Sequence, residues 1–436
     1  MATEHYVEHV QELQRRVEEV LEATDYEGLV LHSGTPLRYF ADDNDAPFHA
    51  TPHFAHWVPL EGPNHLLLIR PGEKPFLVYF APEDYWYEPV PLGSPFWAES
   101  FEIKQVGKVD EVFSELPGNG RRAFHGDCPD VAEKHGFTAE DVNPTELVAR
   151  LDWIRSYKTP YEIECIEQAT RSGAAAHRAA RVAFESGASE LEIHHAYLQA
   201  AECSEKDLPY TNIIALNEKG AFLHYDSKRG ERDGKVLLID CGASYHGYAC
   251  DITRTWTRSS CDSLFREMVQ RFDALQQSLC AEVKPGLPFP ELHHKAHLLI
   301  GDLLQELGVL RVPGEEAVER GLTSAFLPHG LGHFLGIQVH DVAGHQREPA
   351  GGTNEPPKAH PFLRTTRRLE ENQVFTVEPG IYFIEMLLRP HRSGSDAEAF
   401  DWQQIERLKL CGGMRIEDNV VVTAEGHRNL TRKHLS

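Results

Sequence analysis

Val7, Val10, Leu13, Val17 and Leu21 recur at three- and four-residue spacing near the start of the chain. That period lays them along one stripe of an amphipathic helix. Short apolar runs follow: GLVLHSG at 28–34, HLLLIRP at 65–71 and KPFLVYF at 74–80, with RRAFHG at 121–126 as a further candidate. Each has the length and composition of a strand. A helix followed by strands and mixed elements predicts an α/β unit over residues 1–155.

The pattern predicts a second unit over 156–436. Thr159-Pro160 reads as an N-cap with Pro at the first helical position, and Glu162 suits the positive end of the helix dipole. This helix is expected to run to about Phe184. SELEIHHAYLQAAE predicts another, capped by Ser189. Beyond residue 205, VLLIDCG, CDITRTWT, QVFTVEPGIYF and MRIEDNVVVT read as strands, with helices at about 262–282 and 290–307 between them. The expected fold of this unit is α+β with a mostly antiparallel sheet. Two stretches rich in loop-forming residues, 343–361 and 389–401, are expected to be walls or lids of a site, or tolerated insertions.

The 436 residues carry a net charge of −24. Such a field repels phosphate backbones and anionic lipid, which argues against nucleic acid and membrane surfaces as partners. None of the eight cysteines forms a CxxC pair, the first residues lack a signal-peptide core, and no apolar run reaches membrane-spanning length. A cytoplasmic protein with reduced thiols is expected.

Candidate chemistry begins in VLLIDCGASYHGYACDITRTW at 236–256, where Asp240 ends one apolar strand and Asp251 begins the next. A turn centred on Tyr245 and His246 places the two carboxylates directly across from each other, with Cβ atoms about 5 Å apart. Such a pair repels and loses hydration, and a divalent cation relieves both costs. The alternative leaves one Asp in the turn and the other exposed. Glu378 in FTVEPG and Glu417 in MRIEDN also interrupt strand-like runs, and PHGLGH adds His333. Four carboxylates and one imidazole suit Mn²⁺, Co²⁺, Fe²⁺ or Zn²⁺ better than a structural zinc site. They are too many for one ion with an open position and about right for two bridged ions.

LLIDCGA, ACDITRT, PHGLGH, VEPG and RIEDN, in this order, resemble the pita-bread metallopeptidases of family M24. That family holds methionine aminopeptidase, aminopeptidase P, prolidase and the metal-free creatinase. PHGLGHFLGIQVHDVAG, LPYTNIIALNEKGAFLHY and YFADDNDAPFHATPHFAHWVPL are most similar to the bacterial prolidases, including those called organophosphorus acid anhydrolases. The resemblance implies a creatinase-like domain over 1–155, a pita-bread catalytic domain over 156–436 and a homodimer. It also implies two divalent ions, Mn²⁺ foremost, with Co²⁺ or Zn²⁺ as alternatives.

By that resemblance Asp251 and Glu417 bridge the ions, Asp240 holds one, and His333 with Glu378 holds the other. A water shared by two divalent cations loses a proton near neutral pH and attacks the carbonyl preceding proline. Glu378 would carry its proton to the leaving nitrogen, and His340 would donate to the developing oxyanion. His329 would contact substrate; for it and His340 the plain alternative is a neutral core histidine. Arg415 shares a strand face with Glu417, and would orient it, hold a substrate carboxylate, or form a buried ion pair. Tyr210 and His224 are candidates for the side-chain subsite before proline, or ordinary packing. Asp43, with Asp42 and Asp45 beside it, is a candidate to reach a partner's site, or part of a polar turn. The expected substrate is an Xaa-Pro dipeptide. The alternatives are aminopeptidase P activity on longer X-Pro peptides and, from another class, a metal-free peptide-binding module. Organophosphate triesters are candidates for a side reaction.

Overall fold

A computed structural model describes residues 2–86 and 92–435. The chain forms two compact units, 1–164 with 348–352, and 165–347 with 353–436. The sequence places the division at 155/156, nine residues earlier. Among the described residues no helix is long and apolar enough to cross a membrane.

The first unit opens with the helix Tyr6–Thr24, which ends at Asp25 in the left-handed region (φ 58°). Its buried stripe is Tyr6, His9, Val10, Leu13, Val17, Val20 and Leu21. Val7, assigned to that stripe from spacing, is 53% exposed; Tyr6 takes the apolar position one residue earlier. All four expected strands form, as Gly28–His32, Leu66–Ile69, Phe76–Phe80 and Arg122–His125. A fifth, Glu102–Val106, escaped the sequence because EIKQV is largely exposed and carries charge. The sheet is mixed: antiparallel among the strands at 28, 66 and 76, and parallel where the strands at 102 and 122 close its edges.

The helix Pro160–Ser186 begins in the last residues of the first unit and continues as the opening of the second. The next, Glu190–Ala201, starts with a capping box between Ser189 and Glu192. Three antiparallel groups of strands build the site. Ile213–Leu216, Val236–Asp240 and Thr253–Thr257 form one sheet, Val374–Val377, Asp418–Thr423 and Gly426–Asn429 a second, and Gly380–Tyr382 with Gly413–Arg415 a ribbon. Single bridges, Thr253 to Glu417 and Phe334 to Phe375, add links at the site. Helices Ser263–Ala281 and Phe289–Glu306 cover the core with Phe265, Phe272, Phe289 and Ile300 fully buried.

Two loop expectations need correction. Residues 343–361 contain a short ribbon, Gln346–Glu348 with Gly351–Thr353. Within 389–401, the first residues complete the helix Glu385–Arg392, whose Pro390 and following Gly394 gave the stretch a loop-like composition.

Candidate active site

The hairpin carrying Asp240 and Asp251 turns at His246 and Gly247, with φ 49° and 83°, not at Tyr245 and His246. A tight hairpin turn needs positive φ at both central residues, and glycine meets that need without strain. The register is therefore two residues off the expected one: Asp240 pairs with Thr253, and Asp251 lies just outside the strand. A two-residue shift preserves the face, so both carboxylates still meet. Tyr210 shows how closely: its hydroxyl lies 2.8 Å from Asp240 Oδ1 and 2.6 Å from Asp251 Oδ1. The phenol has one proton for two carboxylates. Tyr210 is not among the residues that line the cavity, so its contacts favour the packing alternative over a substrate subsite.

Glu417 follows the ribbon strand Gly413–Arg415 and is 1% exposed. Its Oε2 accepts from the Thr253 hydroxyl at 2.6 Å, while Oε1 is buried with no partner. Asp418, the next residue, turns the other way and pairs with Arg254 at 2.6 Å and Arg432 at 2.7 Å. Alternation thus separates a site carboxylate from a structural one. Arg415 donates to the same Thr253 hydroxyl through Nε (3.2 Å), so it shares Glu417's face. Its ion pair, however, is with Asp240, at 2.5 Å.

His333 sits where PHGLGH crosses the strand Val374–Val377. A Cβ on Gly332 would lie 1.9 Å from the Thr376 carbonyl oxygen, so the crossing requires glycine. The His333 Nδ1–H donates to the Phe334 carbonyl at 3.0 Å. That leaves Nε2 facing Asp251 at 3.5 Å and Glu378 at 3.6 Å. Burial opposes charge on this ring, but Asp251 and Glu378 outweigh it and its pKa is raised.

Three of the four carboxyl groups resist ionisation, whereas burial at Asp251 is outweighed by His333, which holds it below its usual range. Burial, reinforced by neighbouring carboxylates, pushes Glu378 up to about 7, Asp240 up to about 6 and Glu417 well above its usual range. Two like charges 4 Å apart repel by about 4 kcal/mol at an effective dielectric of 20. Cations relieve that repulsion, and the donor set fits them. Asp251, His333 and Glu417 offer ligand atoms all within 4.8 Å of one another. Glu417 Oε1 is orphaned, and the Nδ1 bond leaves the His333 Nε2 lone pair turned inward.

These groups line a cavity of about 880 Å³ whose other walls include His224, His329, His340, Phe362 and Arg364. His340 lies edge-on to His333, ring centres 4.4 Å apart. Burial lowers its pKa to about 4, so it is a neutral N–H donor at pH 7. His329 donates through Nδ1 to the Gly330 carbonyl (2.8 Å), so its Nε2 accepts from the Tyr382 hydroxyl (2.9 Å). Tyr382 in turn accepts from Arg415 Nη1 at 2.6 Å. A polar chain thus runs from Asp240 through Arg415 and Tyr382 to His329. Tyr382 was missed from sequence; its only signal is its place in VEPGIYF, close behind Glu378. Asp43 is an exposed residue of the first unit, in a turn where Asp42 Oδ1 accepts from the Asp43 and Asn44 backbone N–H groups.

Residues 164–424 match Metallopeptidase family M24, and residues 4–153 match the family described as Xaa-Pro dipeptidase, N-terminal domain. The chain is 40% identical over 435 residues to an Xaa-Pro dipeptidase of Pseudoalteromonas atlantica, covering 98% of each. It is 43% identical to that of Shewanella amazonensis, covering 98% of this chain and 97% of the relative. Among solved structures, proline aminopeptidase P II from Yersinia pestis superposes with a TM-score of 0.74 at 22% identity, over 97% of this chain and 96% of that one. Zn-substituted E. coli aminopeptidase P in complex with product gives 0.72 at 22%, over 97% and 95%. These structural likenesses speak for the pita-bread fold, and the sequence relationships go further: the chain belongs to metallopeptidase family M24 and, within it, to the Xaa-Pro dipeptidases.

Proposed function

We propose that this protein hydrolyses Xaa-Pro dipeptides at a two-metal centre held by Asp240, Asp251, His333, Glu378 and Glu417. The observation that carries the reading is the convergence of buried carboxylates around His333 Nε2, with Glu417 Oε1 unpartnered. Asp251 and Glu417 would serve as the shared ligands, with Asp240 holding one ion and His333 with Glu378 the other. The oxygen-rich donor set favours Mn²⁺, with Co²⁺ or Zn²⁺ as substitutes. Divalent ions bound there supply Lewis acidity and lower the pKa of a coordinated water toward neutrality.

The chain's own residues do the rest. Glu378, half-buried at the cavity wall, takes the proton of the attacking water and passes it to the proline nitrogen as the bond breaks. His340, neutral, points an N–H toward the carbonyl oxygen as it gains charge. Arg415, already committed to Asp240 and Tyr382, positions that acid and His329. His329 and His224 line the cavity where the dipeptide's ends and side chain must sit. Proline's nitrogen lacks an N–H, so recognition rests on the carbonyl and the two charged termini. Residues 1–155 serve as the creatinase-like domain and 156–436 as the catalytic one, in a cytoplasmic homodimer. In that assembly an acidic residue at Asp43 is the candidate to meet the partner's substrate amine.

The test compares Ala-Pro with Ala-Pro-Ala, with Mn²⁺ added and after chelation. Cleavage of the dipeptide alone, lost on chelation and restored by Mn²⁺, supports the proposal. Comparable cleavage of the tripeptide moves the activity to that of an aminopeptidase P. Failure on both by protein holding two metal ions refutes peptidase action. A cavity of this size also suits organophosphate triesters, whose hydrolysis under the same conditions measures the side activity.

A further inference from the structure

His293 and His297 lie one turn apart on the helix Phe289–Glu306, and both are buried, at 1% and 0% exposure. His360 reaches them from the segment that precedes Phe362. The three rings enclose a common point: centres are 4.7 Å apart for 293 and 297, and 4.4 Å for each of these with 360. One nitrogen of each ring falls within 4.8 Å of the other two. Neither nitrogen of His293 has a partner, and His297 has a free Nε2. The other His297 nitrogen, Nδ1, meets Thr323 Oγ1 at 2.8 Å.

A buried polar atom without a partner costs about 1–3 kcal/mol. Three such atoms on two adjacent rings, beside a third imidazole, need an explanation, and the peptidase centre has no use for them. Two histidines at i and i+4 share a helix face. Thr323 fixes the ring of His297 and leaves Nε2 free, the arrangement that outer hydrogen bonds give to metal-ligating imidazoles.

We propose that His293, His297 and His360 form a separate Zn²⁺ site with three nitrogen ligands and an open fourth position. Burial, then the neighbouring imidazoles, lowers the pKa of His293 to about 2 and of His297 to about 3, so their lone pairs are available at neutral pH. A donor set of imidazoles without a carboxylate selects Zn²⁺ or Cu²⁺ over the Mn²⁺ suited to the acidic centre. Tetrahedral Zn–N bonds of about 2.0–2.1 Å would draw the nitrogens to about 3.4 Å apart. His360 also lines a side cavity of about 160 Å³ with Ser324, His329 and Phe362, which offers room for a water as fourth ligand. The ion would tie the segment of His360 to the helix, and so hold Phe362 and Arg364 in the main cavity's wall. The site requires nothing of the peptidase reaction and stands or falls apart from it.

The test uses the full-length protein grown as crystals with Mn²⁺ and Zn²⁺, with diffraction recorded at the absorption edge of each metal. Zinc anomalous density among the three rings is expected. In solution the parent should bind one more equivalent of Zn²⁺ than His360→Gln, and Zn²⁺ should slow proteolysis within 343–361 in the parent only. His360 is only half-buried, so this variant spares the helix core. Absence of zinc density among the rings at saturating Zn²⁺, or equal Zn²⁺ counts in parent and folded variant, overturns the proposal and leaves a packed histidine cluster.

Discussion

Replacing Tyr382 by Phe removes one oxygen atom, the link between Arg415 and His329. The site of the lost oxygen is closed to replacement water: Tyr382 is 0% exposed and Arg415 5%. The lost bond to His329 is worth about 1 kcal/mol, and the one from the charged Arg415 about 1.5–3 kcal/mol. The second unit should therefore lose roughly 2–4 kcal/mol. For a chain of this size about 2 °C of melting temperature accompanies each kcal/mol, so Tyr382→Phe should melt about 4–8 °C lower by circular dichroism. Arg415 also holds Asp240, so the loss should reach the reaction as an outer-shell defect, with kcat/KM on Ala-Pro falling about 10- to 100-fold. Melting within 1 °C of the parent together with unchanged kcat/KM would refute the chain of contacts from Asp240 to His329.

Three further outcomes are expected. Gly332→Ala forces a methyl against the Thr376 carbonyl, backbone against backbone, and should cost more than about 3 kcal/mol, read as a large drop in melting temperature or as insoluble protein. Mn²⁺ at about 1,000 times its Kd should stabilise the parent by about 4 kcal/mol, and Glu417→Gln should lose much of that gain in a thermal-shift assay. His65 accepts from the Phe80 backbone N–H through Nδ1, and burial lowers its pKa to about 4. A depressed pKa means that the folded state binds fewer protons than the unfolded one between about pH 6.5 and 4. Its contribution is whole above the unfolded value and fades as pH falls through that window, by about 3 kcal/mol at most. The urea midpoint of the first unit should drop accordingly, and His65→Gln should flatten the profile.

The five proposed ligands were legible because each sits in a short motif whose neighbours serve its own placement. Gly332 permits the crossing beside His333, and Gly247 the turn between Asp240 and Asp251. Helix starts at Pro160 and Glu190 were legible for the same reason, since caps are local. Spacing could not decide among local options of similar energy. Val7 against Tyr6 in the first stripe, and Tyr245–His246 against His246–Gly247 in the hairpin, differ by one residue. Packing against the rest of the chain selects between them.

What only the tertiary structure decided are relations between distant segments. Arg415 pairs with Asp240 across 175 positions, and Tyr382 joins Arg415 to His329 from a third segment. Tyr210 donates toward two acids distant from it in sequence. His360 meets His293 and His297 from a loop that follows them by more than 60 residues. The sequence by itself determined which groups carry charge, lone pairs and backbone freedom, because these belong to single residues and their immediate neighbours. Which group meets which depends on how strands and loops pack, because a buried partner is chosen by distance in space and not by distance along the chain.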